Sequence, residues 1–167
     1  MGKKLDLIER LSMLIPGYRG YKQKELIRED DRLVREKAAL KIDEAKRLLE
    51  EVMPSYSGDY EVLEKMDSLR KDLEALAQKI RHASLGYRGL FDRVKIREEE
   101  LRKLLDYDYK LVTLAEEINK SVKNLASLLS EKSRLVAGIA EVKSKVLELD
   151  LVVSKRSEVA VGGAVNA

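Results

Sequence analysis

Two Gly-Tyr-Arg-Gly segments, residues 17–20 and 86–89, carry the side chains best suited to binding a ligand. In each segment a tyrosine stands next to an arginine, and two such pairs could clamp an anionic group. Free N–H groups at the starts of the helices that follow would assist them. A structural interpretation is favoured over this one and is compatible with it: the glycines adopt positive φ and the tyrosine rings pack over helix ends.

The candidate residues fall into two sets. We predict that a partner or anion is bound by Tyr18, Arg19, Tyr21, Lys22, Arg28, Tyr87, Arg88, Phe91, Arg93 and Arg97. We assign the turns themselves to Gly17, Gly20, Gly86 and Gly89.

Groups that could perform catalysis are scarce. The chain has no cysteine and one histidine, which excludes a thiol nucleophile, a disulfide scaffold and cysteine-ligated or multi-histidine metal sites. The sequence contains no G-x-S-x-G nucleophile elbow. We therefore expect no catalytic residue, no cofactor and no enzymatic activity, and we interpret His82 as a helix-end or interface side chain.

Acidic triplets occur at residues 29–31 and 98–100. We interpret them as first-turn residues that favour the helix dipole and pair with nearby Lys or Arg. The alternative is a carboxylate site for Mg²⁺ or Ca²⁺. Because consecutive residues on a helix point in different directions, we assign no metal ligands. Tyr107 and Tyr109 could pack in a helix seam or mark a contact surface.

The charge of the chain is unevenly distributed. Its net charge is +3, with 38% charged residues, which is typical of a soluble protein rather than a dedicated nucleic-acid binder. Residues 16–28 alone carry +3 and residues 79–97 carry +5, and these two segments hold four of the eight aromatic residues. The sequence therefore predicts a basic region with exposed rings.

Apolar residues at helical spacing predict the first two helices. A short helix spans residues 4–14 and stops at Pro16-Gly17. A long helix runs from 21 to 52 without Gly or Pro. Its heptad spacing changes phase part of the way along, after Leu26, Leu33 and Leu40.

The second half of the chain predicts further long helices. A loop at 54–59 precedes an a/d seam formed by Val62, Met66, Leu69, Leu73, Leu76, Ile80 and Ala83; such a seam requires contact with another helix. A single helix from 91 to 150 would be about 90 Å long. A polar gap at 130–133 instead favours a turn and a fifth helix, one very long helix being the alternative.

An internal repeat orders these elements. Residues 17–31 and 86–100 share seven identities in register, at an offset of 69. The fold predicted is an all-α antiparallel bundle of four to five long helices with coiled-coil-like seams, built on a duplicated helix–GYRG–helix hairpin. Short connections would place both Gly-Tyr-Arg-Gly turns at the same end.

The chain is predicted to form one domain, residues 1–153. Repeat 1 covers 4–53, repeat 2 covers 60–130 and a C-terminal helix covers 133–153. Residues 154–167 lose the apolar periodicity and are expected to form a flexible tail.

Two strings suggest a family resemblance. PGYRGYKQKE at 16–25 and LGYRGLFDRVKI at 85–96 resemble PGYxGYKxKE and GYxGLFD segments in a loosely defined group of uncharacterised prokaryotic all-helical proteins. The resemblance implies a cytoplasmic helical protein and brings no known activity. The scarcity of Gln and Asn and the high charge suit a thermophile.

The function expected is that of a non-enzymatic interaction or scaffold protein, which docks an acidic protein partner through its basic, aromatic end. Self-association as a two-fold dimer is also open. One alternative is a nucleic-acid-associated protein that uses the same end. A second is a peripheral membrane or assembly factor that uses the C-terminal helix and tail. No apolar run is long enough for a transmembrane segment.

Overall fold

The computed structural model describes residues 6–22, 26–85 and 98–165. Five α-helices account for most of them, and no strand occurs among these residues. The helices are α1 (Leu7–Leu14), α2 (Ile27–Val52), α3 (Tyr60–His82), α4 (Glu98–Ser127) and α5 (Lys132–Val165), with a 3₁₀ turn at Met53–Tyr56. The predicted all-α bundle is confirmed.

The four long helices form two hairpins that pack side by side. Within each hairpin the helices are antiparallel, α2 with α3 and α4 with α5; between the hairpins α2 packs on α4 and α3 packs on α5. These latter pairs are parallel. Lys132 at the start of α5 lies 2.9 Å from Asp59 at the start of α3, and Lys79 and Asp150 meet at 2.9 Å near their other ends. The short α1 packs against α4.

The α3 seam is buried almost as predicted. Val62, Met66, Leu69, Leu73, Leu76 and Ile80 are all at most 3% exposed. The interpretation of α2 was wrong in one respect. Its Leu40 is 53% exposed, and the core face follows one continuous helical stripe, formed by Ile27, Val34, Ala38, Ile42, Ala45 and Leu49. The heptad leucines lie beside this stripe rather than on it. The phase does shift along the stripe itself, through the two successive intervals of four from Val34 to Ala38 and from Ala38 to Ile42.

The boundaries differ from the prediction at two places. Among the described residues α2 begins at Ile27 rather than at residue 21, since the backbone around Tyr21 is held in a turn. At the other end, the expected tail from 154 is helical, because α5 continues to Val165. The reason is burial: Val153 and Arg156 are each 1% exposed, so the helix still packs beyond residue 153.

The turn between the last two helices was predicted correctly. α4 ends at Ser127 and α5 begins at Lys132, which excludes one very long helix. In the part of the chain that the structure describes, no helix combines the length and apolar character needed to cross a bilayer.

Candidate functional site

The first Gly-Tyr-Arg-Gly turn connects α1 to α2, and its two tyrosines are buried. Tyr18 is 4% exposed and Tyr21 is 5% exposed, so the expectation of exposed rings was wrong for this copy. The rings meet edge to face, with 5.8 Å between their centroids. Both hydroxyls donate to the same oxygen of Asp108 on α4, at 2.9 Å and 2.6 Å. A buried carboxylate needs such donors, and it draws the rings inward.

The turn itself is shaped by backbone conformation and by Asp30. Gly17 and Gly20 have φ of +89° and +66°, and Tyr21 itself has a φ of +62°. Asp30, in the first turn of α2, accepts hydrogen bonds from the backbone N–H groups of Arg19 at 3.0 Å and Tyr21 at 2.8 Å. Gly17 and Gly20 thus adopt the positive φ expected of turn glycines; Gly86 and Gly89 lie outside the described residues.

Arg156 of α5 completes the interior of this end. Its Nε donates to Asp108 Oδ1 at 2.7 Å and its Nη2 donates to Asp31 Oδ1 at 2.7 Å and to the Tyr21 hydroxyl at 3.3 Å. Its side chain is 1% exposed, and both carboxylates are fully buried. We define the buried polar cluster as Tyr18, Tyr21, Asp31, Asp108 and Arg156.

The buried polar cluster also binds the end of α3. Asp31 Oδ2 accepts from Arg35 Nη2 at 3.1 Å and from the backbone N–H of Leu85 at 3.4 Å. Arg35 in turn donates to the carbonyl of Arg81, and Arg156 Nη1 donates to the carbonyl of Ala83 at 3.5 Å. One network thus joins the start of α2, the end of α3, α4, α5 and the first turn.

The electrostatics of the buried polar cluster keep its tyrosines neutral. Burial, and then the charge of Asp108, raise the pKa of Tyr18 and the pKa of Tyr21. Burial also raises the pKa of the Asp108 carboxyl, against the opposing effect of Arg156. For Arg156, burial lowers the pKa of the guanidinium, but the charges of Asp108 and Asp31 outweigh this effect, and the net shift is upward. The polar atoms are occupied by one another, so the cluster is suited to fixing helix ends rather than to binding a ligand.

The basic side chains of the first turn point outward. Arg19, Lys22 and Arg28 are exposed, and no ion pair joins Arg19 or Lys22 to another described residue. The five remaining candidates lie outside the described residues: Tyr87, Arg88, Phe91, Arg93 and Arg97. Leu85, which directly precedes the second segment, is hydrogen-bonded to Asp31 near the first turn. The proximity of the two turns stays a prediction.

The acidic triplet at 29–31 does not form a metal site. Glu29 pairs with Arg32 at 2.6 Å, whereas Asp30 and Asp31 bind the groups described above. Over the described residues, no three His, Cys, Asp or Glu side chains are placed to hold a metal ion. His82 is exposed at the end of α3. Tyr107 and Tyr109 are partly buried against the core.

Sequence reasoning gave Asp30 and Asp31 a structural role in the first turn of α2 without their distant partners, and it missed Asp108 and Arg156. A signal was present in the spacing. Asp108 follows Leu104 by four and precedes Leu111 by three, and Arg156 follows Val153 by three. Each charged residue therefore occupies a core position of its own helix, and a charge at such a position requires a buried partner.

Comparison of the chain with protein-family models, with curated proteins and with solved structures finds no match.

Proposed function

We propose that the protein is a non-enzymatic interaction module, which docks an acidic protein partner through the exposed basic groups at the end of the bundle that carries the first Gly-Tyr-Arg-Gly turn. The observation that carries the proposal is the contrast within this turn. Its tyrosines are buried and locked, whereas Arg19 and Lys22 next to them are exposed without an ion pair to any described residue.

Rigidity supports this role. Asp30 accepts hydrogen bonds from the backbone N–H groups on both sides of Gly20. The side chains of Arg19 and Lys22 therefore extend from an ordered backbone. A pre-ordered platform lowers the entropy lost on binding. Most other basic side chains of the described region are already paired; Arg70, for example, faces Asp67, Glu74 and Glu50. At this end an acidic partner would meet two exposed positive charges held on an ordered backbone.

Charge reversal tests the proposal. We expect Arg19→Glu/Lys22→Glu to lose a protein partner that the wild-type chain captures from a lysate of its source organism and that binds it again as a purified protein. The matched control is Lys120→Glu/Lys123→Glu, which makes the same charge change at exposed positions on α4 and should retain the partner. Equal capture by all three chains would refute docking at this end.

The same charge-reversal variant distinguishes a protein partner from the other two classes of partner, nucleic acid and membrane. Titration with single-stranded and duplex RNA and DNA at low salt would reveal binding dominated by phosphates, which weakens steeply as salt is added. Co-sedimentation with anionic vesicles would reveal a membrane-associated function. Either binding, lost in Arg19→Glu/Lys22→Glu while no protein partner is captured, would replace the proposal.

A further inference from the structure

α5 carries a second stripe of uncharged residues on the side opposite its core. Its core-facing stripe is fully or almost fully buried and consists of Leu135, Ile139, Val142, Val146, Leu149 and Val153. The opposite side follows the same alternation of four and three residues. We define the outer stripe as Ser133, Ala137, Ala140, Ser144, Leu147, Leu151 and Ser154.

The outer stripe is open to solvent. Leu147 is 69% exposed and Leu151 is 57% exposed, and all but Ser154 of the remaining positions are exposed as well. No charged residue interrupts the stripe in a chain of which 38% is charged. The alternation of four and three residues is the spacing of a coiled-coil seam. The alanines and serines would permit close approach of two helices, and the leucines would supply apolar burial.

The charges that flank the outer stripe indicate which helix fits it. With Ala137, Ser144 and Leu151 at a positions, Lys143 and Asp150 occupy g positions, and Glu148 and Lys155 occupy the following e positions. In a parallel pair of α5 helices, g residues face e residues of the next heptad on the partner. Lys143 would then face Glu148 of the second copy, and Asp150 would face Lys155 of the second copy. Symmetry forms each pair twice.

The antiparallel arrangement is less favourable. With the outer stripes centred on each other, Glu141 would face Glu148 of the second copy and Arg134 would face Lys155 of the second copy, so like charges would meet. The g positions alone would bring opposite charges together, Lys143 with Asp150 of the second copy. Lys143 and Asp150 contact α3 within their own chain, at 3.4 Å from Asp72 and 2.9 Å from Lys79, but they remain 36% and 45% exposed. They can therefore serve both contacts.

We propose that the outer stripe is the interface of a homodimer, in which α5 packs in parallel on α5 of a second copy about a two-fold axis. The self-complementary charges fit this isologous interface. The dimer does not depend on the proposed docking function. The dimer would nevertheless affect that docking. Parallel packing brings both basic ends to the same side of the dimer, so an acidic partner with two sites would gain avidity.

Mass measurement gives the first test. Sedimentation equilibrium of the wild-type chain should give twice the mass of one chain, and Leu147→Glu/Leu151→Glu should halve it. The control Met13→Glu/Leu40→Glu alters two leucine-sized side chains that are 74% and 53% exposed on α1 and α2, and it should remain dimeric. A wild-type mass of one chain, or equal masses for both variants, would overturn the proposal.

Cross-linking tests the direction of packing in a chain without cysteines of its own. In the parallel dimer position 137 lies beside position 137 of the second copy, so Ala137→Cys should oxidise to a covalent dimer. In the centred antiparallel dimer it would lie opposite position 154 instead. Failure of Ala137→Cys to cross-link, with efficient cross-linking when it is mixed with Ser154→Cys, would overturn the parallel arrangement.

Charge exchange tests the flanking pairs without altering the stripe. Lys143→Glu and Glu148→Lys should each weaken the dimer, and the double variant should restore it, because opposite charges then face each other again. Circular dichroism checks that each variant is folded. Absence of restoration would contradict the pairing. If Leu147→Glu/Leu151→Glu instead abolishes binding to lipid vesicles while the wild-type chain sediments as a monomer, the stripe binds lipid and the dimer is refuted.

Discussion

Arg156 brings one guanidinium to two carboxylates that come from different helices. It donates to Asp31 of α2 and to Asp108 of α4 at 2.7 Å each, and all three side chains are buried. Replacing a whole buried ion cluster with apolar groups can be neutral, but removing one member leaves an uncompensated charge. Arg156 is thus the residue on which the buried polar cluster depends most.

We expect Arg156→Met to destabilise the fold by about 3–5 kcal/mol. It leaves the buried Asp108 carboxylate without its cation and removes one of the two guanidinium partners of Asp31, which keeps Arg35. Urea unfolding followed by circular dichroism measures the effect. Lys155→Met alters the exposed neighbour and should change stability by no more than about 0.5 kcal/mol. Asp108→Asn should be less damaging in the Arg156→Met background than alone; strictly additive effects would show that the two residues are not coupled.

The two buried tyrosines predict a loss of stability at alkaline pH. Burial raises the pKa of Tyr18 and of Tyr21 above the ordinary value of 10.0. Above that pH the unfolded chain releases their protons and the folded chain does not, so stability is complete below pH 10 and falls as the pH rises. The free energy of unfolding as a function of pH, with tyrosinate absorbance, measures this.

Tyr18→Phe/Tyr21→Phe is the matched variant for that prediction. It loses the bonds to Asp108 and should be less stable at neutral pH, by about 1–3 kcal/mol for the under-satisfied carboxylate. Its stability should also decline less steeply above pH 10, and its alkaline unfolding should release less tyrosinate absorbance. An equal slope in both proteins would contradict the assignment.

At the scale of the helices, most of the architecture could be predicted from spacing. The α3 seam and the core-facing stripe of α5 repeat apolar residues at intervals of four and three, and such a pattern needs no tertiary information. The end of α5 could not be predicted in this way. Arg156 occupies a core position although it is charged. A charged residue is assigned to a core only when its partners are known, and the partners of Arg156 lie on α2 and α4.

Truncation tests whether the end of α5 belongs to the fold. Deletion of residues 154–167 removes Arg156 and should lower the midpoint of urea unfolding markedly, at a cost similar to that of Arg156→Met. Deletion of 162–167 keeps Arg156 and should be much milder. If deletion of residues 154–167 left the midpoint of urea unfolding equal to that of the full-length chain, these residues would be a tail after all.

At the scale of the whole molecule, the parallel packing of the two hairpins agrees with the sequence repeat. The offset of 69 relates α2 to α4, and these two helices lie side by side and run in the same direction. The repeat could be found from seven identities. The parallel packing could not, because antiparallel neighbours throughout would satisfy the same connections and the same apolar stripes.

This packing predicts that the two Gly-Tyr-Arg-Gly turns share one end of the bundle. The N–H of Leu85 lies 3.4 Å from Asp31, whose neighbour Asp30 holds the first turn. Arg88 follows Leu85 by three residues, which span at most about 11 Å of extended chain. The far end of the bundle is out of reach, because α4 alone extends from Asp108 for about 30 Å before it ends at Ser127.

Spin labels on introduced cysteines can measure this distance directly, since the chain has no others. We expect Arg19→Cys/Arg88→Cys to give a clearly shorter distance than Arg19→Cys/Ser130→Cys, in which the second label marks the turn between α4 and α5 at the opposite end. Two equal distances would separate the turns and refute a shared basic surface. A short distance would place Arg88 beside Arg19, and Arg88→Glu should then weaken the capture of the acidic partner as strongly as Arg19→Glu does.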